Sequence, residues 1–179
     1  MNKLKIILKK LLLFLFISSS FLSIYSQNYT EITLGVTTTY YLIRHSEKDT
    51  SNISDKNPNL SKIGMQRANS WVSILKDIKF DAIYSTNYNR TMQTAKPISE
   101  SNELEIIQYS PSNFNFDDFK ESTKGKTVLI VGHSNTTPSF ANDFIGKNEY
   151  QQIEESNYAN LYIITVTGNT VTHSLLKIN

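Results

Sequence analysis

Thr127-Val128-Leu129-Ile130-Val131-Gly132-His133 is the stretch on which the architecture turns. Four consecutive apolar residues, three of them β-branched and without polar alternation, form a strand buried on both faces. Such a strand belongs in the middle of a parallel sheet covered on both sides. Working outward, Tyr40-Tyr41-Leu42-Ile43 follows a Thr-rich lead, reads as a second buried strand, and ends in Arg44-His45. Residues 80–85 and 104–109 read as short strands. Ser61 can cap a helix whose apolar face is Ala68, Trp71, Val72 and Leu75, with Ile78 just beyond. Residues 90–100 read as a helix that Pro97 should kink or end early. Residues 114–122 and 137–145 read as further helices, and residues 161–167 and 170–178 as a hairpin around Gly168-Asn169. Strands alternating with helices predict an α/β fold, a three-layer sandwich with a largely parallel central sheet. No internal repeat or interdomain linker interrupts it.

The chain has 179 residues, enough for one domain with a sizeable core. It contains no cysteine, which excludes disulfides, a cysteine zinc site and a thiol nucleophile. Residues 1–26 carry Lys3, Lys5, Lys9 and Lys10, no acidic residue, then an apolar run over 11–17 and a small, polar end. This is the order of a secretory signal peptide, with cleavage expected near Ser26 or Gln27 and a single domain over 27–179. The alternative is an uncleaved anchor, although the apolar run is broken by serines and falls short of the roughly 20 residues that span a bilayer. Membrane association is expected only through this segment. Four of the 18 basic residues and none of the 16 acidic ones lie there, so the remainder has a net charge of −2. With no basic run left, nucleic acid is not expected as a partner. Export without disulfides points to a bacterial periplasmic or extracellular protein.

Two of the three histidines occupy the same structural position. His45 directly follows the first strand in Arg44-His45-Ser46-Glu47, and His133 directly follows the central strand in Gly132-His133-Ser134-Asn135. The carboxyl ends of parallel strands line the ligand crevice, so both imidazoles can face one site. Arg90 lies just beyond the second strand and adds a guanidinium to the same rim. Two arginines and two histidines make a cationic pocket suited to a phosphoryl group, with Arg forks and helix N-termini as donors. One imidazole can attack and the other can donate to the non-bridging oxygens, and the arginine charges keep the nucleophile neutral. Phosphoryl transfer asks for positioning and charge stabilisation, so no metal or other cofactor is required if the arginines supply the charge. His173, in the hairpin, has no companion motif and reads as structural.

Arg44-His45-Ser46-Glu47 resembles the Arg-His-Gly-Glu signature of the histidine phosphatase superfamily, the phosphoglycerate-mutase-like proteins. Leu60-Ser61-Lys62-Ile63-Gly64-Met65-Gln66-Arg67-Ala68 is similar to that family's Leu-Thr-x-x-Gly-x-x-Gln-Ala helix. Residues 84–95, Tyr84-Ser85-Thr86-Asn87-Tyr88-Asn89-Arg90-Thr91-Met92-Gln93-Thr94-Ala95, resemble its Ser-Ser-x-x-x-Arg-x-x-Gln-Thr-Ala element. Val131-Gly132-His133-Ser134-Asn135 resembles its second histidine motif, and the four motifs stand in the family's order. The resemblance implies that His45 takes the phosphoryl group as a phosphohistidine that water hydrolyses. Arg44 and Arg90 would clamp the phosphate, His133 would stabilise the transition state, and Ser46 and Asn135 would be extra donors. The implied activity is that of an exported, metal-independent phosphatase, a phosphoric monoester hydrolase of the histidine acid type, with a small phosphorylated substrate.

The chain departs from that pattern. Both family glycines are serine here, Ser46 and Ser134, which narrows the pocket or adds hydroxyl donors. Only 43 positions separate Arg90 from His133, as in a compact branch without the large helical insertion that brings many relatives a proton-donating Glu. Glu47 is the candidate general acid by adjacency alone; Glu103, Glu105, Asp117 and Asp118 lie in the variable stretch. A missing acid favours good leaving groups, such as aryl phosphates, acyl phosphates or phosphohistidine. Specificity is expected in the loops 48–59 and 110–118. Two alternatives stay open: a catalytically decayed phospho-ligand-binding relative, and a serine hydrolase using Ser134 with Asp143 and His173, whose elbow carries Thr136 where glycine is usual. Mutase activity is disfavoured, because a compact chain has little material for a water-excluding lid.

Overall fold

The computed structural model describes residues 35–178. The expected signal peptide, residues 1–26, lies outside them. The elements run β1 (Thr37–Arg44), α1 (Lys62–Ile74), β2 (Ala82–Thr86), α2 (Asn89–Asn102), β3 (Ile106–Tyr109), a 3-10 turn (Pro111–Asn113), α3 (Phe116–Ser122), β4 (Thr127–Gly132), α4 (Thr136–Ile145), β5 (Asn160–Thr167) and β6 (Thr170–Lys177). They form a six-stranded sheet in the order β3-β2-β4-β1-β5-β6. The pairs β1–β4, β2–β4 and β2–β3 are parallel, while β5 runs antiparallel to both β1 and β6. The sheet is therefore largely parallel, with the hairpin as its antiparallel edge.

The unbroken apolar run of β4 now has its reason. Val128 and Ile130 join Tyr40, Leu42, Phe119, Phe140 and Phe144 in one core, which α3 and α4 cover. Leu129 and Val131 point the other way, into a second core with Ile43, Ile83, Trp71, Leu75, Ala95 and Ile98, covered by α1 and α2. Two helical layers thus sandwich the sheet, as the sequence predicts. At the edge, β5 and β6 turn through Gly168, whose φ of 56° is the left-handed conformation glycine adopts without penalty.

The early end that Pro97 could have imposed does not occur. Pro97 sits inside α2, and the helix continues to Asn102. An interior proline costs a helix about 3 kcal/mol; the buried stripe of Thr91, Thr94, Ala95, Ile98 and Ser99 anchors this one and offsets the loss.

Candidate active site

Every residue of the site sits at the carboxyl edge of the parallel strands. In the β1–β4 register Arg44 pairs with Gly132, so the next residues, His45 and His133, emerge side by side. The backbone N–H of His45 donates to the carbonyl of Gly132 at 2.9 Å, which ties the two strand ends together. The imidazoles stand edge to face, with centroids 5.5 Å apart and planes at 68°. Arg90, in the first turn of α2, reaches the same place: its Nη2 donates to Nδ1 of His133 at 3.3 Å. Arg44, His45, Arg90, His133, Ser134 and Asn135 all line a cavity of about 610 Å3.

Hydrogen bonding fixes both tautomers. Nδ1 of His45 lies 2.7 Å from the carbonyl of Ser46, an oxygen that can only accept. The proton is therefore on Nδ1, and the lone pair is on Nε2. Burial lowers the pKa of His45 to about 3; the Ser46 hydrogen bond opposes the shift, and the charges of Arg44 and Arg90 reinforce it. His133 is also buried and lies near both arginines, and its pKa falls to about 4. Because Arg90 can only donate, Nδ1 of His133 accepts and its proton sits on Nε2, which donates to Oγ1 of Thr86 at 2.9 Å. Thr86 in turn donates to Thr91, whose hydroxyl is held by the Thr86 and Tyr88 carbonyls. At neutral pH both rings are uncharged between two guanidinium cations.

Arg44 is 2% exposed and tightly held. Its Nη1 faces the carbonyls of Glu154, Glu155 and Asn157, and its Nη2 donates to the Glu155 carboxylate at 2.9 Å. Tyr158 lies 4.3 Å from its guanidinium carbon, and Tyr88 covers Arg90 at 4.6 Å. The Nε–H groups of Arg44 and Arg90 are nonetheless buried without a partner. Orphaned guanidinium donors on two residues lining one cavity suit a phosphate oxyanion.

The remaining expectations divide. Asn135 lines the cavity, but Ser46 does not: it is fully buried, its N–H donates to Thr94, and its hydroxyl has no partner. Ser134 lines the cavity and donates its hydroxyl to Glu155 at 3.0 Å. Glu47 is not brought to the site. Both of its oxygens accept from Nε of Arg67, at 2.9 and 3.0 Å, so it pins α1 to the loop after β1 instead of serving as an acid. The carboxylate that does line the cavity is Glu155, which no motif marked. Burial pushes its pKa up, but the Ser134 hydroxyl and Arg44 outweigh that, and the net shift is downward. The serine-hydrolase arrangement is not assembled. His173, on β6 and separated from β4 by two strands, bonds Tyr150, and Asp143 faces a different cavity. Among the described residues no group of three or more His, Asp or Glu could hold a metal ion.

Sequence reading also missed the hydroxyls that set the histidines, Thr86 and Thr94, and the aromatic covers Tyr88 and Tyr158. Of the loops expected to carry specificity, residues 110–112 and Lys48 line the cavity.

The largely parallel α/β sandwich, with paired histidines and arginines at its strand ends, has a phosphoglycerate-mutase-like fold. Residues 40–110 match the model of the histidine phosphatase superfamily (branch 1). No curated protein matches the chain. Among solved structures the fold is similar to YhfR of Bacillus stearothermophilus, with 18% identity over 79% of this chain and 98% of that one, at a TM-score of 0.62. It is similar to a phosphoglycerate mutase from Bacillus anthracis, with 15% identity over 80% of this chain and 94% of that one, at a TM-score of 0.61. It is also similar to a phosphoserine phosphatase of Entamoeba histolytica in complex with phosphoserine, with 17% identity over 77% and 96% of the two chains, at a TM-score of 0.59.

Proposed function

We propose that the protein is an exported, metal-independent phosphatase that hydrolyses phosphomonoesters through a phosphohistidine on His45. The observation that carries this reading is the state of His45. Its Nδ1–H is committed to the Ser46 carbonyl and its pKa lies at about 3, so Nε2 presents a lone pair throughout the neutral range. The Nε2 lone pair forms a bond to phosphorus while the bond to the ester oxygen breaks. Water then attacks phosphorus, the P–N bond breaks, and inorganic phosphate leaves. Arg44 and Arg90 would balance the phosphoryl charge, with Asn135 beside them as a further donor. His133, held by Arg90 and Thr86, would sit against the transferring oxygens.

The N-terminal pattern of residues 1–26, basic, then apolar, then small and polar, supports export to the periplasm or beyond. N-terminal sequencing of protein from the culture's outer compartments is expected to begin near residue 27.

The mature protein, incubated with an aryl phosphate, is expected to form an acid-labile, base-stable phosphoenzyme and to turn over in excess chelator. His45→Ala should remove label and turnover together, with losses of at least about 10³-fold. Turnover that persists in His45→Ala, or that stops with chelator, would overturn the proposal.

A further inference from the structure

A second cavity, of about 440 Å3, opens beside the first between the segment after β3 and helix α4. Three phenylalanines line it: Phe114 and Phe116, half-buried, and Phe140, fully buried. Their rings are mutually tilted, with centroids 4.6 Å apart for Phe114–Phe140 and 5.8 Å apart for Phe116–Phe140. They pack against one another and together form one wall of this space. Pro111 and Thr136 belong to the walls of both cavities. Thr136 is also tied to the reacting centre, because its Oγ1 accepts from the backbone N–H of His133 at 3.0 Å. A chamber with an aromatic wall on one side and Thr136, Ser139 and Asp143 on the other therefore adjoins the phosphate pocket. Its exposed edge carries Ser139 and Asp143.

We propose that this chamber is the leaving-group subsite and that the substrate is an aryl phosphate, a phosphomonoester of a phenolic oxygen whose ring lies against the wall of Phe114, Phe116 and Phe140. The inference rests on the phosphohistidine reading of His45. Ring faces and edges in that geometry hold an aromatic guest by offset and edge-to-face contacts. Among the described residues, the phosphate pocket itself offers no evident proton donor to a leaving oxygen. The carboxylate lining the phosphate pocket, Glu155, is bound by Arg44 and Ser134 and is ionised at neutral pH. It has no proton for a departing alkoxide. A phenolate needs none: Nε2 of His45 bonds to phosphorus, the P–O(aryl) bond breaks with its electron pair on oxygen, and the phenolate takes its proton from water.

The test compares 1-naphthyl phosphate with acetyl phosphate, two substrates whose leaving groups depart unprotonated, only one of which has a ring. In the full mature protein, kcat/KM is expected to favour the naphthyl compound by at least about tenfold. Ser139→Phe, which fills the chamber from its exposed edge, should collapse that preference, and Phe116→Ala, which removes part of the aromatic wall, should reduce it. No preference in the parent protein, or a preference that survives in both variants, would overturn the subsite. Failure of the underlying reading looks different: neither compound would then leave an acid-labile label on His45, and both proposals would fall.

Discussion

At the scale of single residues, Arg44 shows how a binding group is held ready. Three backbone carbonyls from residues 154–157 surround its Nη1, so its position does not depend on any one side chain. The Glu155 carboxylate, 69% exposed, then adds a negative charge at the lip of a pocket built for anions. In high dielectric such a pair is worth little to stability, but it sits where a phosphate oxygen would compete for the same guanidinium. Glu155→Gln keeps a hydrogen-bonding shape and removes the charge. Inhibition by inorganic phosphate is expected to tighten by roughly two- to fivefold. Weaker phosphate binding would instead show that the carboxylate holds Arg44 in place. Glu155 also marks a limit of sequence reading. Arg44, His45, Arg90 and His133 were legible because each lies at or just beyond the end of a strand in a recognisable string. Glu155 lies in an irregular segment whose path is set by contacts to Arg44 and by the Ile153 N–H on the Ser134 carbonyl. Glu47 misled for a related reason: adjacency in sequence says nothing of the Arg67 that claims it from the next helix.

At the scale of elements, the joint between α1 and the loop after β1 decides how accurately His45 is placed. Ser61 caps α1 by accepting from the Gly64 N–H at 3.0 Å, and the Ser61 N–H donates to the Glu47 carbonyl at 2.9 Å. Gly64 packs so closely that a methyl group there would overlap the Glu47 carbonyl oxygen. The glycine is required by this approach, since the obstacle is backbone and cannot rotate away. Gly64→Ala is expected to cost about 1–3 kcal/mol, read from the urea midpoint. It should also lower kcat/KM, because Glu47 is two residues from His45. Unchanged stability with unchanged activity would mean that the helix slides aside freely. The capping serine and this glycine were readable as a motif, but the reason for the spacing appears only when the helix meets the loop. Pro97 makes the converse point: local propensity argued for a break, and burial of one face of α2 prevailed.

At the scale of the whole molecule, the sandwich stores two neutral histidines between cations, and this has a cost in acid. His45 and His133 titrate at about 3 and about 4 in the folded protein, against an ordinary value of 6.5. Between pH 6.5 and 4 the unfolded chain therefore binds protons that the folded chain refuses. Stability contributed by the neutral rings is complete above about pH 6.5 and is lost as pH falls toward the folded values. Carboxylates with lowered pKa, such as Glu155 and Glu149, lose their contribution in a lower window, beginning near their ordinary 4.5. The two effects separate on the pH axis. The melting temperature is expected to fall by roughly 5 °C between pH 6.5 and 5, and a His45→Gln, His133→Gln double variant should be nearly flat over the same interval. Parallel curves for the two proteins would show that the histidines are not held neutral by the fold. The same depression leaves His45, the proposed nucleophile, unprotonated well below neutrality, so under the proposed mechanism kcat/KM should not lose an acid limb until below about pH 5. Acid sensitivity of this molecule is thus expected to appear first in its melting curve and only later in its chemistry.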